Sequence, residues 1–142
     1  MSSSLVGFFE SHDSDFKTIG AADSSRDVLY FGEYSYRYTG GQHESKPLPT
    51  EITDVINLIR PKLPNPDIGI NSCLVSRYRS GSNYIPAHRD DEPVINPESH
   101  IITLSIGAER TMKFSNNSGS ITKEQKLNDR SLLVSSRSAQ NF

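Results

Sequence analysis

The sequence predicts one α+β domain that is mainly β, an antiparallel sandwich or jelly roll with one helix packed outside it. Three observations favour this class. The 142 residues are the size of one domain. Beyond Pro66 the apolar residues fall in short runs between Gly, Asn and other turn residues, as in a series of short strands. One stretch, after Pro49, repeats its apolar residues with the period of a helix.

Composition and charge narrow the functional classes. Apolar residues make up 34% and charged residues 23% of the chain, as in soluble globular proteins. No apolar run approaches the roughly 18 residues of a membrane span, and the N-terminus lacks a secretory signal, so we expect a cytoplasmic protein with no membrane partner. The single cysteine, Cys73, excludes an internal disulfide and an all-cysteine zinc site. Because the net charge is -2, any nucleic-acid binding must be local.

The N-terminal part is predicted to be irregular. Residues 1–27 are rich in Ser and Asp, which predicts a flexible arm with one apolar cluster, Leu5–Phe9, that docks on the body. The domain itself is expected to span 28–142. Residues 28–38 include alternating aromatic and polar side chains, which predicts a strand with one covered face.

The helix is predicted to begin at Thr50, whose hydroxyl can cap free backbone N–H groups, and to end before Pro61. Its apolar residues recur at i, i+3, i+4 and i+7, at Ile52, Val55, Ile56 and Ile59. Several short strands after one helix favour an antiparallel over a parallel sheet. These strands are expected at 68–78, 101–106, 111–114, 121–126 and 131–135.

The residues most suited to chemistry lie in the segment Tyr84–Pro93, where His88 and Asp90 are two residues apart. On an extended backbone their side chains point to the same side and offer one nitrogen and one oxygen ligand. These are two members of the 2-His-1-carboxylate triad that holds iron(II). The pair alone is also compatible with a solvated polar cluster or with a structural histidine that an aspartate orients.

A family resemblance rests on three motifs in the order and spacing of the family. They are the strand that ends in Arg77-Tyr78, the run His88-Arg-Asp-Asp-Glu92, and the strand Ser105-Ile-Gly-Ala-Glu-Arg110. Upstream, Tyr34-Ser-Tyr-Arg-Tyr-Thr-Gly40 is similar to a family segment that lines the pocket for a flipped base. Over about residues 28–142 the chain resembles the AlkB family of iron(II)- and 2-oxoglutarate-dependent nucleic-acid dioxygenases. The resemblance implies a double-stranded β-helix, the jelly roll.

The resemblance also implies roles around the cofactors. His88 and Asp90 become the first two iron ligands. Tyr78 donates its hydroxyl to a carboxylate of 2-oxoglutarate, the alternative being a half-buried strand tyrosine. Ser76 stands where the family usually has Asn. A serine hydroxyl is shorter and cannot donate two N–H bonds, so we expect the affinity for 2-oxoglutarate to be lower or to depend on a bridging water.

Substrate contacts are implied in the same way. Tyr36 and Tyr38 would pack around the extruded base, an aromatic ladder on a sheet face being the alternative. Asp91 and Glu92 would lie beside the substrate pocket, where a carboxylate can accept a hydrogen bond from a base or balance the charge of an N-methylated one. A solvated acidic loop is the alternative for Glu92. Arg89 would contact the phosphates that flank the base.

In the family a third histidine ligand, and arginines that bind 2-oxoglutarate and hold the substrate, would follow at positions after Phe142. None of His12, His43 and His100 is a convincing substitute for that ligand. The resemblance therefore predicts a domain truncated at its C-terminus, with an incomplete jelly roll and no activity as an isolated chain.

The function that the resemblance implies is oxidative demethylation of N-alkylated bases in single-stranded RNA or DNA, using Fe(II), O2 and 2-oxoglutarate. RNA is favoured, because such domains also occur in replication polyproteins of plant RNA viruses. In that setting other polyprotein domains are expected partners, and the host cytoplasm is the expected location. Two alternatives stay open: an inactive module that binds nucleic acid or protein on the same fold, and an oxygenase acting on protein or lipid.

Overall fold

The computed structural model describes residues 2–33, 36–38, 41–86, 101–116 and 118–135. The chain divides into two compact units, residues 1–86 and 87–142. Over the described residues it contains nine strands and two α-helices, so the expectation of a mainly β protein with few helices is confirmed. The closed double-stranded β-helix stays a prediction. No helix among the described residues has both the length and the apolar character needed to cross a membrane.

The first unit contains both helices and five of the strands. Helix α1 spans Ser2–Ser11 and helix α2 spans Thr50–Ile59. The strands are β1 Lys17–Ile19, β2 Arg26–Gly32, β3 Tyr36–Tyr38, β4 Gly41–His43 and β5 Ser72–Arg77. Strands β1, β2 and β5 form an antiparallel sheet in the order β1-β2-β5, and β3 pairs with β4.

Strand β2 is the centre of this unit, because its residues 27–32 are all buried. Its alternate side chains point to opposite sides of the sheet. On the first face, Leu29 and Phe31 lie opposite Val75 and Cys73 of β5, and the ring of Phe31 lies 6.0 Å from that of Phe8 in α1. The second face carries the side chains of Arg26, Val28 and Tyr30, with Leu74 and Ser76 opposite on β5.

The N-terminal segment differs from the flexible arm expected for residues 1–27. Its described residues form α1 and β1; Leu5 is only 5% exposed, and β1 pairs with β2 from Lys17 to Ile19. The physical reason is tertiary packing. A Ser-rich segment has little helical stability of its own, and contact of the apolar cluster Leu5–Phe9 with the rest of the unit stabilises the helix.

Two further expectations need correction. The strand expected at 28–38 is interrupted, since β2 ends at Gly32, where a bridge to Lys46 forms, and β3 begins again at Tyr36. Thr50 does not cap α2 with its side chain. Thr50 is itself the first helical residue, and the carbonyl of Pro49 accepts the N–H groups of Ile52 and Thr53 at 3.0 Å each.

The second unit contains the remaining strands, close to where the sequence predicts them. They are β6 Ile101–Ser105, β7 Arg110–Ser115, β8 Ile121–Leu127 and β9 Ser131–Ser135. Strand β6 pairs with β9 and β7 with β8, both antiparallel. In the connection after β6, Gly107 has a φ of 102°, a left-handed conformation that glycine adopts without steric cost.

Candidate functional site

Ser76 and Tyr78 are the predicted 2-oxoglutarate residues that the structure describes fully. Ser76 lies on β5 opposite Val28, and its side chain is on the exposed second face of the sheet together with Leu74, which is 41% exposed. Tyr78 follows directly after the strand and is half-buried. The structure therefore gives Ser76 an accessible hydroxyl near the end of β5, two residues before the Tyr78 phenol.

The other predicted site residues are described only in part. His88, Arg89, Asp90, Asp91 and Glu92 lie outside the described residues. An imidazole nitrogen and a carboxylate oxygen are donor types that iron(II) accepts, so the two predicted ligands fit this ion chemically. Within the described part of the chain no three His, Cys, Asp or Glu residues come together as a possible metal site.

The predicted base-stacking residues, Tyr36 and Tyr38, lie on strand β3. In the backbone register Tyr36 is opposite His43 and Tyr38 is opposite Gly41 of β4. The hairpin of β3 and β4 thus brings His43 next to the segment that the sequence assigned to the substrate.

A buried carboxylate, Asp27, organises the first face of the sheet near the end of β5. Its side chain is 3% exposed. Thr18 donates its hydroxyl to Oδ1 at 2.7 Å, and Arg77 donates Nε and Nη2 to Oδ2 at 3.2 and 3.1 Å. Arg79 donates its Nε to the same oxygen. Arg77 also pairs with Asp13 at 2.7 Å.

The pKa of Asp27 reflects these partners. Burial raises it, but the hydrogen bonds from Thr18, Arg79 and Arg77, with the charge of Arg79, hold the pKa below its ordinary value. The network borders a cavity of about 410 Å³, whose lining residues are Thr18, Ser25, Arg26, Asp27, Arg77, Arg79 and Asn83. Because Asp27 and Asp13 already balance the two guanidinium groups, this network is locally neutral and serves to join β1, β2 and β5.

The second face has a different electrostatic character around His43, which is 6% exposed. The imidazole stacks on the ring of Tyr30, with 5.6 Å between the centroids. Burial lowers the pKa of His43, and the positive charges of Lys17, Arg26 and Lys46 lower it further. The residue is therefore neutral at physiological pH, and its ring contributes packing rather than charge.

Cys73 lies on β5 opposite Phe31. Burial raises the pKa of this thiol from 9.0 to about 11. A thiolate is the reactive form of cysteine, so Cys73 is suited to packing and not to nucleophilic chemistry.

The sequence reasoning missed the Asp27 network and the cluster around His43. Arg77 and Asp27 are 50 positions apart in the chain, so no local pattern joins them. One signal was available: Asp27 immediately precedes four apolar residues of the buried strand. A carboxylate at such a position requires hydrogen-bond partners if it is buried.

Three similarities to known proteins bear on the site. Residues 13–142 match the sequence profile of the 2OG-Fe(II) oxygenase superfamily. The chain is 35% identical over 74 residues to the RNA replication protein of Papaya mosaic potexvirus. The aligned residues make up 52% of this chain and 5% of that protein. It is 34% identical over 83 residues to the DNA oxidative demethylase ALKBH2 of Arabidopsis thaliana. Here the aligned residues make up 58% of this chain and 24% of that protein. The matched region thus covers about a quarter or less of either relative.

Proposed function

Because the chain belongs to the 2OG-Fe(II) oxygenase superfamily, we propose that it is the oxygenase domain of an enzyme that removes alkyl groups from bases in single-stranded nucleic acid. The observation that carries the proposal is the family match, which covers residues 13–142. The similarity to a protein named as a DNA oxidative demethylase supports the reaction. The similarity to an RNA replication protein supports RNA as the favoured substrate.

The metal site of the proposal consists of His88 and Asp90, which would hold iron(II) through one nitrogen and one oxygen. Iron(II), when bound, supplies the activation of dioxygen that oxidises the alkyl carbon while 2-oxoglutarate is converted to succinate. The protein's part is to hold the ligands, orient the co-substrate and keep the base in place.

The co-substrate residues of the proposal are Tyr78 and Ser76. Tyr78 would donate its phenol O–H to a carboxylate oxygen of 2-oxoglutarate. Ser76 would contribute a second hydroxyl from the accessible end of β5. A serine side chain offers one hydrogen-bond donor where an asparagine amide offers two. We therefore expect the variant Ser76→Asn to have a lower KM for 2-oxoglutarate.

The substrate residues of the proposal fall into three groups. Tyr36 and Tyr38 would stack on the base, Asp91 and Glu92 would lie beside it, and Arg89 would contact the flanking phosphates. Stacking on an aromatic ring stabilises a bound base by about 1–3 kcal/mol. The fold proposed around them is the jelly roll with α2 outside. We further propose that the domain works in the cytoplasm, with other domains of a replication polyprotein as partners.

The proposal is tested with the full-length gene product, iron(II), 2-oxoglutarate and methylated RNA or DNA oligonucleotides. Succinate formation and loss of the base methyl group are measured together. His88→Ala and Asp90→Ala should each abolish iron-dependent turnover, because each removes a ligand from the ion. His12→Gln is the matched control, since it removes an imidazole far from the proposed site in the sequence and should keep turnover.

Each outcome of this experiment supports either the proposed function or one of its alternatives. Full turnover in either ligand variant would refute the ligand assignment. Succinate without demethylation of any oligonucleotide would favour an oxygenase acting on protein or lipid. Oligonucleotide binding without succinate formation by the loaded protein would favour the inactive binding module. Faster demethylation of DNA than of RNA would overturn the preference for RNA.

A further inference from the structure

Three cationic side chains from separate segments lie on the second face of the first unit's sheet. Arg26 is on this face of β2, two positions before Val28, and Lys17 of β1 lies opposite Val28. Residues opposite each other in an antiparallel pair share a face. Lys46 pairs with Gly32, which is on the same face, through hydrogen bonds of 2.7 and 3.0 Å.

These three cations are not balanced as the arginines of the first face are. Among the described residues, Lys17, Arg26 and Lys46 form no ion pair, whereas Arg77 and Arg79 both pair with Asp27. The Nε of Arg26 is buried and has no hydrogen-bond acceptor in the described part of the chain.

The positive charges of Lys17, Arg26 and Lys46 all lower the pKa of the buried His43 imidazole, and the charges of the described residues that shift this pKa are all positive. Like charges on one face of a sheet repel one another, and phosphates bound along that face reduce the repulsion. Arg presents a planar fork of N–H donors and Lys a mobile point charge, the two groups that proteins use on phosphates.

We propose that Lys17, Arg26 and Lys46 form a phosphate-binding surface that holds the backbone of a single-stranded nucleic acid. The assignment rests on the proposed function, because it takes the substrate to be nucleic acid. The backbone register supports a strand over a free phosphate, because His43, whose imidazole is affected by all three cations, lies opposite Tyr36 on β3. Phosphates on this surface would therefore flank the base that Tyr36 is proposed to stack.

The size of the effect follows from counterion release. For a single strand, each neutralised phosphate contributes about 0.7 to the negative slope of log K against log salt. At about 0.1 M salt one such contact corresponds to roughly a fivefold change in affinity. Replacing all three cations should weaken binding on the order of a hundredfold and reduce the slope by about 2.

The experiment measures binding of an unmodified single-stranded RNA to the full-length protein without iron or 2-oxoglutarate. Fluorescence anisotropy across a salt series gives both affinity and slope. The variants are Lys17→Gln, Arg26→Gln and Lys46→Gln, singly and together. Lys62→Gln is the matched control, since it removes one exposed positive charge from a short 3-10 helix that follows α2. Thermal unfolding identifies any variant that has lost its fold, and the Lys17→Gln, Lys46→Gln pair tests the surface without altering β2.

The expected result is a loss of affinity and a smaller slope in the three variants and neither change in Lys62→Gln. Equal effects of Lys62→Gln, or an unchanged slope in the triple variant, would overturn the proposal. Inorganic phosphate and a polyglutamate peptide are also tested as competitors. If either displaces the RNA at the same charge concentration as the RNA itself, the surface binds anions in general and the proposal is overturned. Because no turnover is measured, a failed demethylation assay leaves this test intact, and a failed binding test leaves the demethylase proposal intact.

Discussion

Gly32 provides the sharpest test of the packing described above. A side chain added at Gly32 would meet the ring of Tyr30: its Cβ would lie 2.7 Å from Tyr30 Cζ and in closer contact with the hydroxyl. Tyr30 cannot easily move away, because it is 7% exposed and stacks on His43. The new Cβ would also lie 3.0 Å from the Cβ of Ser72 on β5. The glycine is therefore required by the ring that lies over it.

The expected cost of Gly32→Ala combines two contributions. Forcing an extra methyl group into a packed site costs about 1–3 kcal/mol. Ala loses less conformational entropy than Gly when the strand forms, and this offsets about 0.5–1 kcal/mol of the cost. We expect a decrease of about 1–2 kcal/mol in the free energy of unfolding.

Urea denaturation followed by far-ultraviolet circular dichroism measures this quantity, since the chain has no tryptophan. Gly69→Ala is the matched control, because a Cβ at Gly69 meets no atom within 4 Å. A double-mutant cycle with Tyr30→Leu removes the obstructing ring, so Gly32→Ala should cost much less in that background. Equal costs in both backgrounds, or equal costs for Gly32→Ala and Gly69→Ala, would refute the packing argument.

Three further predictions concern titratable groups. The pKa of Asp27 lies below 3.8 in the folded protein. The ionised carboxylate therefore stabilises the fold fully above pH 3.8, and this stabilisation is lost as pH falls through the folded pKa. The variant Asp27→Asn should lack this pH-dependent loss of stability. His43 has a folded pKa below 6.5, so the unfolded chain takes up the proton first and stability should fall as pH drops below about 6.5, less so in His43→Gln. Cys73, with a pKa raised from 9.0 to about 11, should react with iodoacetamide about a hundredfold more slowly at pH 8 in the folded than in the urea-unfolded protein. Urea titrations at several pH values and timed mass spectrometry check these predictions; a flat stability profile from pH 7 to 5, or equal alkylation rates, would contradict the second and the third.

Helix α2 and the strands of the second unit could be predicted because their apolar residues repeat with a clear period. The four strands expected from Ile101 onward all exist, with ends shifted by at most one residue. Elements stabilised by distant contacts could not be predicted. Helix α1 begins in a Ser-rich segment; its Leu5 is buried, and its Phe8 packs near Phe31, which comes much later in the chain.

For the candidate site, the sequence could predict only the local position of residues that are close in the chain. Ser76 lies on β5 and Tyr78 directly follows it, near the strand end that the sequence predicts, and their roles stay predictions. The charged clusters on the two faces depend on strand order, which brings Lys17, Arg26 and Lys46 together from three segments. Sequence periodicity gives the face of each strand but not its neighbours, so this pattern of balanced and unbalanced charge emerges only from the register.

The pairing of β1 with β2 has a practical consequence for recombinant expression. Asp27 takes one hydrogen bond from Thr18, and Arg77 is held by Asp13. A version that starts at residue 28 would lose Asp27 itself and the ring of Phe8 that lies beside Phe31. Such a truncated product should be retained in inclusion bodies, so cloning boundaries for biochemical work should lie before α1.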